Sequence, residues 1–71
     1  KAASVIFVHN HPSGDPEPSE GDLVVTKRLV EAGKILEIEI VDHVIVTKDR
    51  FFSMKQKGIL NKIQNFNKHY G

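Results

Sequence analysis

The sequence predicts an α/β fold, and three features predict it. Val5-Ile6-Phe7-Val8 is an unbroken β-branched and aromatic run, the composition of a buried strand. Apolar residues then recur at spacings of three and four between Val25 and Leu36, which is the period of a helix face. A second β-rich run follows from Ile38 to Thr47. Together with a short strand and a tail helix, the order reads β–loop–α–β–β–α, without internal repeat or linker. Helices packed on a sheet follow from that order.

The first strand ends in polar residues, His9-Asn10-His11, and then meets Pro12, Gly14, Pro16 and Pro18, which cannot continue a sheet. Ser13-Gly14-Asp15 reads as a tight turn in which the Asp15 side chain bonds nearby backbone N–H groups. Ser19-Glu20-Gly21-Asp22 has the composition of a helix start. Val25, Leu29, Ala32 and Leu36 form one apolar stripe of that helix, and Leu23 and Val30 a second, so cover on more than one side is expected. Gly33 occupies a place where a left-handed residue would end the helix.

In the next strand Ile38, Ile40, Val44 and Val46 share one phase, while Val41 and Ile45 share the other. That mixture suits a mostly buried strand interrupted by two polar residues, Asp42 and His43. Lys48-Asp49-Arg50 reads as a hairpin turn and Phe51-Phe52-Ser53 as the returning strand. The tail, Lys57–Tyr70 within residues 55–71, sets Ile59, Leu60, Ile63 and Phe66 at helical spacing.

At 71 residues the chain is at most one small domain. Chains near this length bury only about 60% of their unfolded surface, so a metal, a partner or oligomerisation is needed for more than marginal stability. No cysteine is present, which excludes disulfides and thiolate ligands and leaves imidazole, carboxylate and water for metals. No apolar run approaches the ~20 residues of a membrane span, and no signal-peptide pattern is visible. A cytoplasmic protein without membrane partners is the expectation.

The net charge of +1 is unevenly spread. Residues 1–47 carry −4 and residues 48–71 carry +5, with Lys55, Lys57 and Lys62 in the basic part. Such a tail could touch nucleic acid, although a solvated helix explains it as well. Lys1-Ala2-Ala3-Ser4 reads like the last turn of a helix that begins upstream. The chain is therefore expected to be a single partial domain, its N-terminal part missing, with exposed apolar surface that favours homo-oligomers.

The chemistry concentrates between residues 9 and 22. On a strand His9 and His11 are i and i+2, so both imidazoles leave one face with Cα atoms about 6.6 Å apart, a gap one zinc ion can bridge. Asn10 points to the other face. Asp22 would lie in the first helical turn, where the positive end of the helix dipole favours its ionised form. Two histidines, one carboxylate and an open position make up the composition of catalytic rather than structural zinc sites. A second reading competes for Asp22: Ser19-x-x-Asp22 is also a capping-box variant. Glu17 and Glu20 read as exposed acids. Asp42 and His43 suit either a bond to a ligating imidazole or a satisfied structural pair.

The pattern His9-x-His11-x7-Ser19-x2-Asp22 is similar to the signature of the JAMM (MPN+) metalloproteases. The denser run His9-Asn10-His11-Pro12-Ser13-Gly14-Asp15-Pro16, with Lys27–Lys34 and Asp42-His43, resembles the bacterial RadC-like branch over residues 2–54. The resemblance implies the MPN (cytidine-deaminase-like) sandwich of a mixed sheet with flanking helices. It implies zinc held by His9, His11 and Asp22, and hydrolysis of a peptide or isopeptide bond by metal-activated water. Ser19 would then be the catalytic helper that orients the substrate carbonyl or stabilises its oxyanion. The general base in such enzymes is a glutamate from an earlier strand, here expected before Lys1, so this stretch alone is not expected to be fully competent. RadC-like proteins also carry an association with DNA repair, and a non-enzymatic scaffold or nucleic-acid module is the alternative function.

Overall fold

The computed structural model describes residues 3–68, with side-chain surroundings through residue 65. Five elements follow the predicted order: β1 (Ala3–Asn10), α1 (Glu20–Leu36), β2 (Ile38–Val46), β3 (Phe51–Ser53) and α2 (Ile59–Lys68). The strands form one mixed sheet in the order β1-β2-β3, with β1 parallel and β3 antiparallel to β2. A parallel pair needs a long crossover, and the proline loop with α1 supplies it. The small α/β class is as the sequence predicts.

Ala3 and Ser4 belong to β1, not to a helical turn; Lys1 and Ala2 lie outside the described residues, as do the side chain of Phe66 and the tail beyond Lys68. The β2–β3 turn is closed as expected, by Thr47 N–H donating to Arg50 O (2.9 Å) and Arg50 N–H to Thr47 Oγ1 (3.0 Å).

One irregularity decides which side chains face the core. Val5 pairs with Ile40 but Ile6 pairs with Asp42, so Val41 is an extra residue in β2. Such a bulge shifts the side-chain alternation by one. Ile40 and Ile45, five apart and out of phase by simple alternation, therefore share one face with Phe7, His9 and His43. The sequence expectation of two regular phases in β2 is corrected by this bulge. The core lies on that face: Val30, Ile40, Ile45, Phe52, Met54 and Leu60 are buried, with Phe7, Leu23, Ile59 and Ile63 packed against them.

The opposite face is covered at Asp42 and Ser53 but uncovered over β1 and the start of β3. Ile6, Val8 and Phe51 are 57%, 66% and 64% exposed. The run read as a buried strand is thus an edge strand whose outer backbone and rear side chains meet no other described element.

Helix α1 turns the second of its two predicted stripes to the core, with Val30 buried and Leu23 packed against it, and not the Val25–Leu36 stripe. Asp22, Thr26, Val30 and Gly33 are the buried positions, at spacings of four, four and three. Leu29, Ala32 and Leu36 instead line an apolar groove of about 170 Å³ with Val5, Phe7 and Ile38, at the open side of β1. Gly33 does not end the helix. It lies inside it, where a Cβ would stand 2.5 Å from the Ile38 carbonyl oxygen, so glycine permits α1 and β2 to approach. The left-handed C-cap is Glu37 (φ 60°), whose N–H donates to Gly33 O.

Candidate metal centre

Two local devices bring residues 9–22 together. His11 follows the last residue of β1, yet its N–H still donates to Val46 O (3.0 Å), which keeps it in strand register and on the same side as His9. The loop then folds back through its own side chains. Asp15 Oδ1 accepts from the Glu17 N–H (3.1 Å), the Asx turn expected there, and Gly14 takes φ 92°. Pro16 is buried and anchors the loop, while Glu17 and Glu20 are exposed.

At the end of the loop Ser19 caps α1. Its Oγ accepts from the Asp22 N–H (3.2 Å), and Asp22 Oδ2 accepts from the Ser19 N–H (2.8 Å), completing a capping box. The same carboxylate faces both histidines. His9 Nδ1 lies 3.1 Å from Asp22 Oδ1, and His11 Nε2 lies 2.9 Å from Asp22 Oδ2. Capping and approach to the imidazoles, posed as alternatives by the sequence, coexist in one side chain.

The donor atoms suit a cation. One ligand atom from each of His9, His11 and Asp22 lies within 4.8 Å of the others. His11 Nδ1 stands 3.0 Å from Asp15 O; a carbonyl only accepts, so Nδ1 carries the proton and Nε2 is the nitrogen left to face Asp22. A lone pair 2.9 Å from a carboxylate oxygen is repulsive unless a proton or metal ion sits between them. Hydrogen bonding of the remote imidazole nitrogen to a carbonyl is how ligating histidines are oriented. The Asp22 side chain is 7% exposed, His11 17% and His9 45%, so the group opens to solvent on the His9 side.

Burial pushes the Asp22 carboxyl up, but hydrogen bonds from the Ser19 N–H and hydroxyl, with the His11 and His9 rings alongside, outweigh it and hold the group below its ordinary range. Asp22 is therefore ionised at neutral pH. Ser19 is placed beside the group, but its hydroxyl proton points at Asp22 Oδ2 (3.0 Å). Donation to a substrate would require that bond to be exchanged.

Asp42 and His43 diverge. Asp42 ties the β2–β3–α2 junction, accepting from the Ser53 hydroxyl, the Lys55 N–H (2.9 Å) and the His43 N–H (2.7 Å). His43 turns to the site side because of the Val41 bulge, and its ring stacks on His9 at 6.1 Å. It bonds not to the His9 or His11 imidazole but to Thr26 (2.6 Å). Thr26 was not singled out by the sequence. The available signal was its position four residues after Asp22 on one helical face.

The fold and the site define a small α/β protein with a two-histidine, one-aspartate group that could hold a metal ion. The chain belongs to the RadC-like JAB domain family, whose model matches residues 1–59. It is similar to UPF0758 proteins: 58% identical over 59 residues to that of Desulforamulus reducens, covering 83% of this chain and 26% of the relative. The protein of Bacillus cereus strain B4264 is 60% identical over 57 residues, covering 80% of this chain and 25% of the relative. That of Roseiflexus castenholzii is 52% identical over 58 residues, covering 82% and 25%. The chain thus spans about a quarter of the length of these curated relatives.

Proposed function

We propose that this chain carries the metal-binding half of a zinc-dependent JAMM-type hydrolase acting on peptide or isopeptide bonds. The observation that carries the reading is the convergence of His9, His11 and Asp22, with His11 turned by Asp15 so that Nε2 faces the carboxylate. An all-nitrogen and oxygen donor set with a solvent-open side suits zinc with a free position. When bound, zinc would polarise an amide carbonyl and lower the pKa of water to about 7.

The residues of this chain have separate tasks in that reading. His9, His11 and Asp22 hold the ion. Asp15 sets the His11 tautomer through its carbonyl. Ser19 fixes the Asp22 carboxylate and, on exchanging its hydroxyl bond, stabilises the developing oxyanion. Hydrolysis is proposed for the longer protein, of which this chain matches about a quarter in its relatives.

The same proposal extends the three-stranded sheet to a full MPN sandwich. The open edge of β1 and the uncovered apolar patch of Ile6, Val8 and Phe51 support further strands and a covering layer. No helix among the described residues is long and apolar enough to cross a membrane, and a cytoplasmic setting belongs to the proposal.

Metal analysis of protein purified without chelator tests the reading. Near-stoichiometric zinc, lost in His11→Ala and in Asp22→Ala, is the expected result; absence of metal under every loading condition overturns it. A nucleic-acid or DNA-repair role is a second reading, supported by the exposed Lys55, Lys57 and Lys62. It calls for DNA binding that weakens with salt and with neutralisation of these lysines.

A further inference from the structure

Thr26 is fully buried, and a hydroxyl in a core is costly unless hydrogen-bonded. Its Oγ1 stands 2.7 Å from the Asp22 carbonyl oxygen, 2.6 Å from His43 Nδ1 and 3.4 Å from Met54 Sδ. Two oxygens at 2.7 Å need a proton between them, and the carbonyl has none to give. The hydroxyl therefore donates to Asp22 O, and Oγ1 accepts from His43 Nδ1–H. This order fixes the tautomer of His43.

His43 is 3% exposed. Its Nε2 bonds no described residue, so Thr26 is the polar contact that sets the rotation of its ring. One face of that ring lies against His9, with the planes 21° apart, and Phe7 meets it at 64° with centroids 6.3 Å apart. The chain of contacts thus runs from the Asp22 peptide through Thr26 to His43, and from the His43 ring to His9. It touches two of the three candidate ligands from behind, on the side away from solvent.

We propose that Thr26 and His43 are positioning residues of the metal group. Thr26 fixes the first turn of α1 that carries Asp22, and His43 backs the His9 ring so that its donor nitrogen stays aimed at the carboxylate. The proposal rests on the metal-site reading above and adds to it the residues that set the angle between the β1 and α1 ligands. The Val41 bulge is part of the device, because without it His43 would leave the other face of β2.

Metal binding itself supplies the test, using zinc competition against a chromophoric chelator and the visible spectrum of the cobalt-loaded protein. Thr26→Val keeps the shape and removes the hydroxyl, while Thr26→Ser keeps the hydroxyl. His43→Phe keeps the ring face and removes the donor to Thr26; His43→Asn keeps a donor near the Nδ1 position and removes the ring face. Loss of a group that orients a ligand typically costs about 10–100-fold in metal affinity. That loss, with an altered cobalt spectrum, is expected for Thr26→Val and for both His43 variants, while Thr26→Ser stays within about threefold of wild type.

Wild-type affinity and spectrum in a folded Thr26→Val variant overturn the proposal. Should the valine variant fail to fold, Thr26→Ser is compared with Thr26→Ala, which share the lost methyl; equal affinities overturn it and a tenfold gap supports it. Failure of the wild-type protein to take up either metal overturns the metal-site reading. Intact wild-type uptake with indifferent variants overturns the positioning role alone.

Discussion

Asp22 Oδ2 accepts both polar hydrogens of Ser19, the backbone N–H at 2.8 Å and the hydroxyl at 3.0 Å. The carboxylate is thereby locked on its helix side while still facing His9 and His11. A helix start and a candidate ligand site share one carboxylate. Asp22→Asn separates the two uses, since an amide oxygen can still accept the Ser19 N–H but carries no charge for a cation. We expect zinc binding to be lost in Asp22→Asn with α1 still capped, as read by metal analysis beside circular dichroism. Ser19→Ala should instead cost about 1 kcal/mol of stability in urea titrations. An asparagine variant that retains full zinc would contradict the assignment.

Gly33→Ala tests the closeness of α1 to β2. Alanine is the better helix former by up to about 1 kcal/mol, so propensity alone predicts stabilisation. The added Cβ would meet the Ile38 carbonyl at 2.5 Å and Ile40 Cγ1 at 3.3 Å, and the first of these is backbone. Net destabilisation of about 1–3 kcal/mol is expected from the forced shift. A raised urea midpoint in this variant would show that the helix moves freely.

Stability of the metal-free protein should fall in two acid steps. Burial, with the neighbouring His9, lowers the His43 pKa below its ordinary 6.5 despite Asp22 and Asp42 nearby. Below 6.5 the unfolded chain takes a proton that the folded chain refuses, so stability declines from there until the folded pKa is passed. Asp22 is held below its ordinary 3.8, and its contribution, full above 3.8, is lost as pH falls toward the folded value. Urea midpoints measured from pH 7.5 to 3 in chelator should show the first step and the onset of the second. His43→Asn removes the first and Asp22→Asn the second; an unchanged slope in His43→Asn would count against the buried neutral ring.

The sheet face left uncovered over β1 and the start of β3 predicts self-association of the 71-residue chain. Val8 and Phe51 lie more than half exposed on that face, and neither touches the core. Val8→Thr with Phe51→Thr should lower the concentration-dependent mass seen by sedimentation, with little change in stability because no core contact is removed. Equal association in the double variant would place the contact elsewhere, for instance at the β1 edge or the Leu29–Leu36 groove.

What the chain fixed by itself were properties of short stretches. Element order, the proline loop, the Ser19 cap, the same-face placement of His9 and His11, and the Lys48–Arg50 turn all follow from rules acting within a few residues. The identity of the candidate site was legible for the same reason, since its residues lie within fourteen positions of one another. Tertiary structure decided what depends on distant neighbours. The Val41 bulge turns His43 toward His9, Gly33 serves helix–strand approach instead of a helix stop, and Thr26 becomes the link between Asp22 and His43. It also decided which stripe of α1 is buried, because that depends on where β2 and α2 lie and not on the spacing of apolar residues. An apolar run looks the same in sequence whether or not a layer covers it, and in β1 the described residues supply cover on one side only.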